Sequence, residues 1–148
     1  MPAPSAVIVL AAGQGTRMKS RTPKVMHPIG GRSLIQHALE AAVGTGAEHL
    51  VVVLRHERQR LVEHLDGLPE RISRVAIIAD QDDVPGTGRA AECALTQLPA
   101  DLGGTVLVTY GDVPLLTAGT LETLTRFHEE GGHAVSVLTA EVPDPQGY

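Results

Sequence analysis

The chain has 148 residues, is 43% hydrophobic but only 2% aromatic, and carries a formal net charge of −5. That length suits one domain with a sizeable core, which must be aliphatic and alanine-rich. One Phe, two Tyr and an acidic balance leave neither a long basic track nor stacking platforms, so nucleic acid is excluded as a partner. Cys93 is the single cysteine, so an internal disulfide is impossible and a reducing compartment is expected. A small apolar role on a helix is expected for it. The N-terminus Met1-Pro2-Ala3-Pro4-Ser5 has no basic leader region, and no apolar run approaches the roughly 18 residues of a membrane span. A cytoplasmic protein that avoids membranes is expected.

In chain order, Ala6-Val7-Ile8-Val9-Leu10 is short, apolar and rich in β-branched residues, which predicts a buried strand. The loop that follows, Ala11-Ala12-Gly13-Gln14-Gly15-Thr16-Arg17-Met18, continues to Pro23-Lys24. A glycine-bearing loop at a strand end brings backbone N–H groups against phosphate, because glycine has no Cβ to block the approach. Arg17 and Lys24 add two cations. From Met1 to Leu39 there is no Asp or Glu, yet Arg17, Lys19, Arg21, Lys24 and Arg32 fall there, and all 17 acids lie beyond. That asymmetry draws in a small polyanion. A basic cluster alone is equally an ordinary solvated loop; the glycines and the preceding strand favour phosphate binding.

Ser33 with Gln36 forms a capping-box pattern, followed at helical spacing by Leu34, Ile35, Ala38, Leu39, Ala42 and Val43 and stopped by Gly44 and Gly46. His49–Leu54 is a second predicted strand. Leu61, Val62 and Leu65 mark a short charged helix ending at Asp66-Gly67, and Val75–Ala79 is a third strand. Ala90, Ala91, Ala94, Leu95 and Leu98 give another helix ending before Pro99. Thr105–Thr109 is a fourth strand, Ala118 to Glu130 a helix, and Ala134 to Thr139 a fifth strand. Continuous apolar strands alternating with amphipathic helices predict an α/β, doubly wound, mostly parallel sheet with helices on both faces. Ligands on such folds sit beyond the carboxyl ends of the strands.

Three of those ends carry unusual chemistry. The first is the cationic glycine loop. The second, Asp80-Gln81-Asp82-Asp83-Val84-Pro85-Gly86-Thr87-Gly88, has amides free at a helix start, and Gln81 can both donate and accept, as reading a nucleobase edge requires. The third, Tyr110-Gly111-Asp112-Val113-Pro114-Leu115-Leu116, sets a carboxylate where it can hold Mg²⁺. Singly, Gln81 reads as a surface amide and Asp112 as a turn residue; three such loops on one sheet edge argue for a site. His27, His37 and His56 are expected to be structural or solvent-facing. A dinucleotide-binding fingerprint needs a third glycine where Met18 stands, which disfavours an NAD-binding domain, and no Walker A spacing occurs.

Leu10-Ala11-Ala12-Gly13-x-Gly15-Thr16-Arg17-Met18 with Pro23-Lys24 resembles the signature of the sugar-1-phosphate nucleotidyltransferases, which have a Rossmann-like fold. Pro23 to His27, the Gln81 to Gly88 stretch, Tyr110 to Leu115 and Asp144-Pro145-Gln146-Gly147-Tyr148 most resemble the branch of bifunctional N-acetylglucosamine-1-phosphate uridyltransferases / glucosamine-1-phosphate acetyltransferases. The resemblance implies that Leu10, Ala11, Ala12, Gly13, Gly15, Lys24, Gln81, Gly86, Thr87, Tyr110, Gly111 and Asp112 line a uridine nucleotide site. It implies Arg17, Lys24 and Asp112 as catalytic residues: Lys24 toward the α-phosphate, Arg17 toward the leaving pyrophosphate, Asp112 as the Mg²⁺ ligand. The implied reaction joins UTP and N-acetylglucosamine 1-phosphate to give UDP-N-acetylglucosamine and pyrophosphate, a step toward peptidoglycan and lipopolysaccharide. By the same resemblance residues 1–148 are the nucleotide-binding part, while an acceptor-sugar half and a β-helical acetyltransferase domain, trimeric in full-length relatives, are absent. Val84 and Pro85 replace a more usual Gln and Leu, and Arg89 a common His. A non-catalytic nucleotide-binding fragment and an enzyme for another sugar 1-phosphate remain open alternatives. Val135, Val137, Leu138 and Val142 are expected to be uncovered for want of that half.

Overall fold

The computed structural model describes residues 3–144 and Gln146, so Pro145, Gly147 and Tyr148 of the C-terminal motif lie outside the described residues. In chain order the strands are β1 (Ala6–Leu10), β2 (Pro28–Ile29), β3 (Arg32–Ser33), β4 (His49–Leu54), β5 (Ala76–Asp80) and β6 (Val106–Tyr110). The helices are α1 (Leu34–Gly44), α2 (Arg58–Asp66), α3 (Glu70–Ser73), α4 (Thr87–Leu95) and α5 (Ala118–Glu130), with 3-10 turns at Thr16–Met18 and Lys24–Met26. Four strands form one sheet in the order β5-β4-β1-β6, every pair parallel, while β2 and β3 make a small antiparallel hairpin.

Strand β1 is wholly buried because it has a neighbour on each edge and helices over each face. Its residues alternate between two cores, as the two-residue strand period requires. On one face Val7 and Val9 pack with Val52 and Leu54 against Ile35 and Leu39 of α1, Leu61 of α2, Ile72 of α3 and Leu121 of α5. On the other, Ala6, Ile8 and Leu10 pack with Val51 and Val53 against Ala90 and Ala94 of α4. Small residues one helical turn apart suit close approach of α4 to the sheet. Burying a side chain such as Ile35 or Leu39 stabilises the fold by about 1.5–3 kcal/mol.

The parallel α/β architecture expected from the sequence is therefore the one observed, with β1, β4 and α5 at the predicted bounds. Ser33 caps α1 by accepting from the Gln36 amide, although the Gln36 side chain donates forward to Glu40 at 3.0 Å instead of closing the box. Three boundaries shift. Val75 and Thr105 precede β5 and β6, and α4 ends at Leu95, leaving Leu98 in the core but past the helix. Cys93 is half-buried on α4, as expected.

The fifth strand is not formed. Residues 134–139 carry no ladder, although their apolar content favours one. The chain turns at Gly131-Gly132, and His133 N–H donates back to His128 O at 3.1 Å. The His133 ring lies 4.9 Å from that of Phe127, and Ser136 Oγ meets His128 Nδ1 at 3.1 Å. These contacts hold the segment against the end of α5, and a strand without a neighbour has no ladder. Val135, Val137, Leu138 and Val142 are exposed, as are Val108 and Tyr110 of β6.

His64 of α2 meets the α1 cap at Ser33 Oγ, 2.7 Å away, and its burial pushes the imidazole pKa down from its ordinary value near 6.5. A base with a depressed folded pKa stabilises the fold fully above that ordinary value, and the contribution is lost as pH falls through the folded one. The denaturant midpoint should therefore drop between pH 7 and pH 5, and drop less in His64→Gln. Parallel pH dependence in the two proteins would rule out this role.

Candidate active site

The ends of the four parallel strands lie level: Leu10 pairs in register with Val53 and Tyr110, and Leu54 with Asp80. Ladder bonds run one residue further, with Ala11 N–H donating to Val53 O, Gln81 N–H to Leu54 O and Gly111 N–H to Leu10 O, each at 2.9 Å. The loops carrying the chemistry thus start from fixed backbone. The strand order reverses between β1 and β6, the position where open α/β sheets bind ligands.

A cleft of about 910 Å³ opens there. It is lined by Leu10, Ala11, Ala12, Gly13, Gly15, Arg17 and Lys24 from the first loop, Gln81, Gly86 and Thr87 from the second, and Tyr110 and Asp112 from the third. Every residue singled out from the sequence lines it except Gly111, which sits beneath. A Cβ on Gly111 would come within 3.3 Å of Ala11 Cβ and 3.4 Å of Val25 Cγ1, so its absence lets the two loops touch.

Lys24 and Asp112 meet inside this cleft. Lys24 Nζ donates to Asp112 Oδ2 at 2.5 Å, joining residues 88 positions apart. The pair is partly exposed, 41% and 29% for the two side chains, so water and ligand reach both. Gly15 permits the arrangement. It has φ of +63°, and a Cβ there would stand 2.6 Å from Lys24 Cβ, so only glycine lets the first loop fold over the lysine. At the far end of that loop Arg60 of α2 donates to Arg21 O at 2.7 Å. Arg17, Lys19 and Arg21 have no carboxylate partner among the described residues, so their charge is not cancelled nearby, with Arg17 lining the cleft. A second hollow of about 510 Å³ lies under the loop, between Lys19, Arg21 and Lys24 on one side and His56 and Leu61 on the other.

Asp112 Oδ2 is occupied by Lys24, while Oδ1 accepts no hydrogen bond among the described residues. One carboxylate with a free oxygen fits Mg²⁺, which draws its other ligands from phosphate oxygens and water. No group of three or more His, Cys, Asp or Glu residues is placed to hold a metal by itself among the described residues.

The second loop differs from expectation. Gln81 Nε2 donates to Val84 O at 2.9 Å and to Gly86 O at 3.2 Å, so both its donors are spent within the loop and only its carbonyl remains for a ligand. The three aspartates of this loop are each paired with an arginine. Arg58 binds Asp80 at 2.5 Å, Arg55 lies 3.8 Å from Asp83, and Arg89 grips both oxygens of Asp82. The hydrogen bonds that Arg89 donates hold the Asp82 carboxyl below its ordinary pKa, and the same bonds, accepted by Asp82, raise that of Arg89.

Sequence reasoning missed Arg55 and His56, which line the cleft from the end of β4. The rule that placed the other three loops, ligand chemistry just past a strand end, applies equally to Leu54-Arg55-His56. His27 and His37 are structural, lying 3.2 Å from Thr22 O and 2.9 Å from Ile29 O, whereas His56 faces the cleft.

The sequence profile of the MobA-like NTP transferase domain matches residues 7–146. The chain belongs to that family. It is 64% identical over 146 residues to the bifunctional protein GlmU of Kineococcus radiotolerans, covering 98% of this chain and 29% of that protein. The chain thus spans under a third of the length of the curated relatives it matches. Among solved structures it is similar to a nucleotidyl transferase from Methanothermobacter thermautotroptrophicus (23% identity, TM-score 0.68, 82% of this chain and 56% of that one). It is also similar to UDP-glucose pyrophosphorylase solved with UDP-glucose (21% identity, TM-score 0.67, 86% and 54%). These two likenesses show the shared Rossmann-like fold.

Gly15→Ala should cost more than about 1–2 kcal/mol in denaturant melts, since the left-handed backbone alone costs that much and the Cβ would also stand 2.6 Å from Lys24 Cβ. Gly13→Ala, where a Cβ meets nothing within 4 Å, should be close to neutral. Equal effects of the two would show that the fold over Lys24 is not what Gly15 provides.

Proposed function

We propose that this chain is the nucleotide- and metal-binding part of an enzyme that transfers a uridylyl group from UTP to N-acetylglucosamine 1-phosphate. The products are UDP-N-acetylglucosamine and pyrophosphate, within cell-wall precursor synthesis in the cytoplasm. The observation that carries the reading is the Lys24–Asp112 pair in a cleft lined by the glycine loop, at the reversal of the strand order. Family membership and the similarity to GlmU support it. In this reading residues 1–148 are the nucleotide-binding part, and the acceptor-sugar half and a trimer-forming acetyltransferase domain belong to the longer relatives.

A sugar 1-phosphate is largely dianionic at neutral pH and is its own nucleophile, so the site needs no general base. Its work is to align two anions and to neutralise charge developing on the α-phosphate and the departing pyrophosphate. Backbone amides of Gly13 and Gly15 cradle the phosphates, Lys24 moves from Asp112 to the α-phosphate, and Arg17 meets the pyrophosphate. Asp112, released from Lys24, offers its carboxylate to Mg²⁺. When bound, the ion supplies charge neutralisation at the phosphates. Gln81, Gly86 and Tyr110 enclose the base, and the Gln81 carbonyl accepts from an imide N–H such as that of uracil.

One observation favours a second reading, nucleotide binding without turnover. Among the described residues Asp112 is the one carboxylate lining the larger cleft. Release of pyrophosphate from UTP and N-acetylglucosamine 1-phosphate separates the two, since binding alone releases none.

Calorimetry should show Mg²⁺-dependent binding of UTP in preference to ATP; equal affinities would overturn the uridine assignment. In Asp112→Asn the dependence on Mg²⁺ should vanish, and with it any pyrophosphate release, while the melting temperature holds. Lys24→Ala removes a charge-assisted contact worth about 1.5–3 kcal/mol and should weaken UTP binding roughly ten- to hundredfold. Retention of Mg²⁺ dependence in Asp112→Asn would remove Asp112 from the metal site.

A further inference from the structure

Arg89 has a specific physical role in this chain. Arg89 stands in the first turn of α4, where its guanidinium grips Asp82 through Nε at 3.0 and 3.2 Å and through Nη2 at 2.5 Å. Its Nη1 also donates to Glu92 at 2.7 Å, which fixes the plane of the fork. Asp82 in turn accepts the Val84 N–H on Oδ1 at 3.1 Å, closing a tight turn. The Val84 carbonyl that this turn presents accepts from Gln81 Nε2. Four residues are therefore joined in one line of hydrogen bonds: Arg89 to Asp82, Asp82 to Val84, Val84 to Gln81. Because Gln81 faces two backbone carbonyls, chemistry alone assigns its nitrogen to that side.

We propose that Arg89, acting through Asp82 and the Val84 turn, is the positioning residue that presets Gln81 as a pure hydrogen-bond acceptor for the nucleobase, and so sets the preference for a base with an imide N–H. The inference rests on the nucleotide-site reading above and deepens it. Uracil carries such an N–H at N3, whereas cytosine presents an acceptor there and repels the Gln81 carbonyl. An ordinary exposed ion pair contributes little, but a bidentate fork fixes geometry as well as charge. The same contact has an electrostatic consequence. With Arg55 and Arg58 it offsets three carboxylates on the rim of a cleft that takes a polyanion.

The test uses the 148-residue chain, Arg89→Gln, and Arg89→Lys, which keeps charge without the fork. In the free protein, the Gln81 side-chain amide protons, followed by NMR, should exchange at least several-fold faster in Arg89→Gln and at an intermediate rate in Arg89→Lys. The preference for UTP over CTP, from calorimetry with Mg²⁺, should fall about five-fold in Arg89→Gln while the melting temperature changes little. Unchanged Gln81 exchange in Arg89→Gln overturns the brace. A native chain that binds neither nucleotide overturns the nucleotide-site reading and the base preference together, while amide exchange still decides the brace by itself.

Discussion

The parallel pairing of β1 on both its edges is the constraint on which the rest of this molecule depends. Because β4 and β6 hold β1 in register through Leu10, the first and third loops leave the sheet at the same level. The bonds from Ala11 to Val53 and from Gly111 to Leu10 extend that rigidity into the loops themselves. Lys24 and Asp112 can then meet at 2.5 Å although the chain between them wraps most of the domain. A slip of one residue in either ladder would turn every alternate side chain of β1 to the wrong core and would part the pair.

Charge is distributed over the cleft by two opposite devices. Around the first loop the cations Arg17, Lys19 and Arg21 are left without carboxylate partners among the described residues. Around the second, the carboxylates Asp80, Asp82 and Asp83 are each met by an arginine from a different element. The result is a positive field at the mouth of an acidic protein, obtained as much by cancelling nearby acids as by placing bases. Lys24 and Asp112 combine the two devices. Each is the other's partner, and both side chains stay partly exposed to the cleft.

The uncovered surface lies on the other flank. Val108 and Tyr110 face outward from β6 on the side where α4 covers β1 and β4, and the apolar residues that follow α5 are exposed as well. Tyr110 is at once an edge residue and a wall of the cleft, so the open side of β6 borders the cleft directly. The shape of that flank, unlike the Lys24–Asp112 pair, is therefore open to influence from outside these residues.

Much of this was legible in the amino-acid sequence. Strands such as His49–Leu54 are continuous apolar runs, helices such as α5 carry a clear apolar stripe, and both kinds of signal are local, so composition and spacing determined them. The loop chemistry was legible for the same reason, since a glycine or carboxylate just past a strand end needs no distant partner to be noticed. Residues 134–139 show the limit: their composition favours a strand, but a strand forms only where the segment is laid along a neighbour's edge, and His128, Phe127 and His133 hold it at the end of α5 instead. Gln81 shows it again, for its donors were consumed by Val84 and Gly86 in a turn that Arg89 braces from the next helix. The sequence by itself determined which residue types stand at the ends of the strands. Only the tertiary structure decided which of their hydrogen-bonding groups remain free, because that depends on partners brought close through space by the sheet register and the helix that follows.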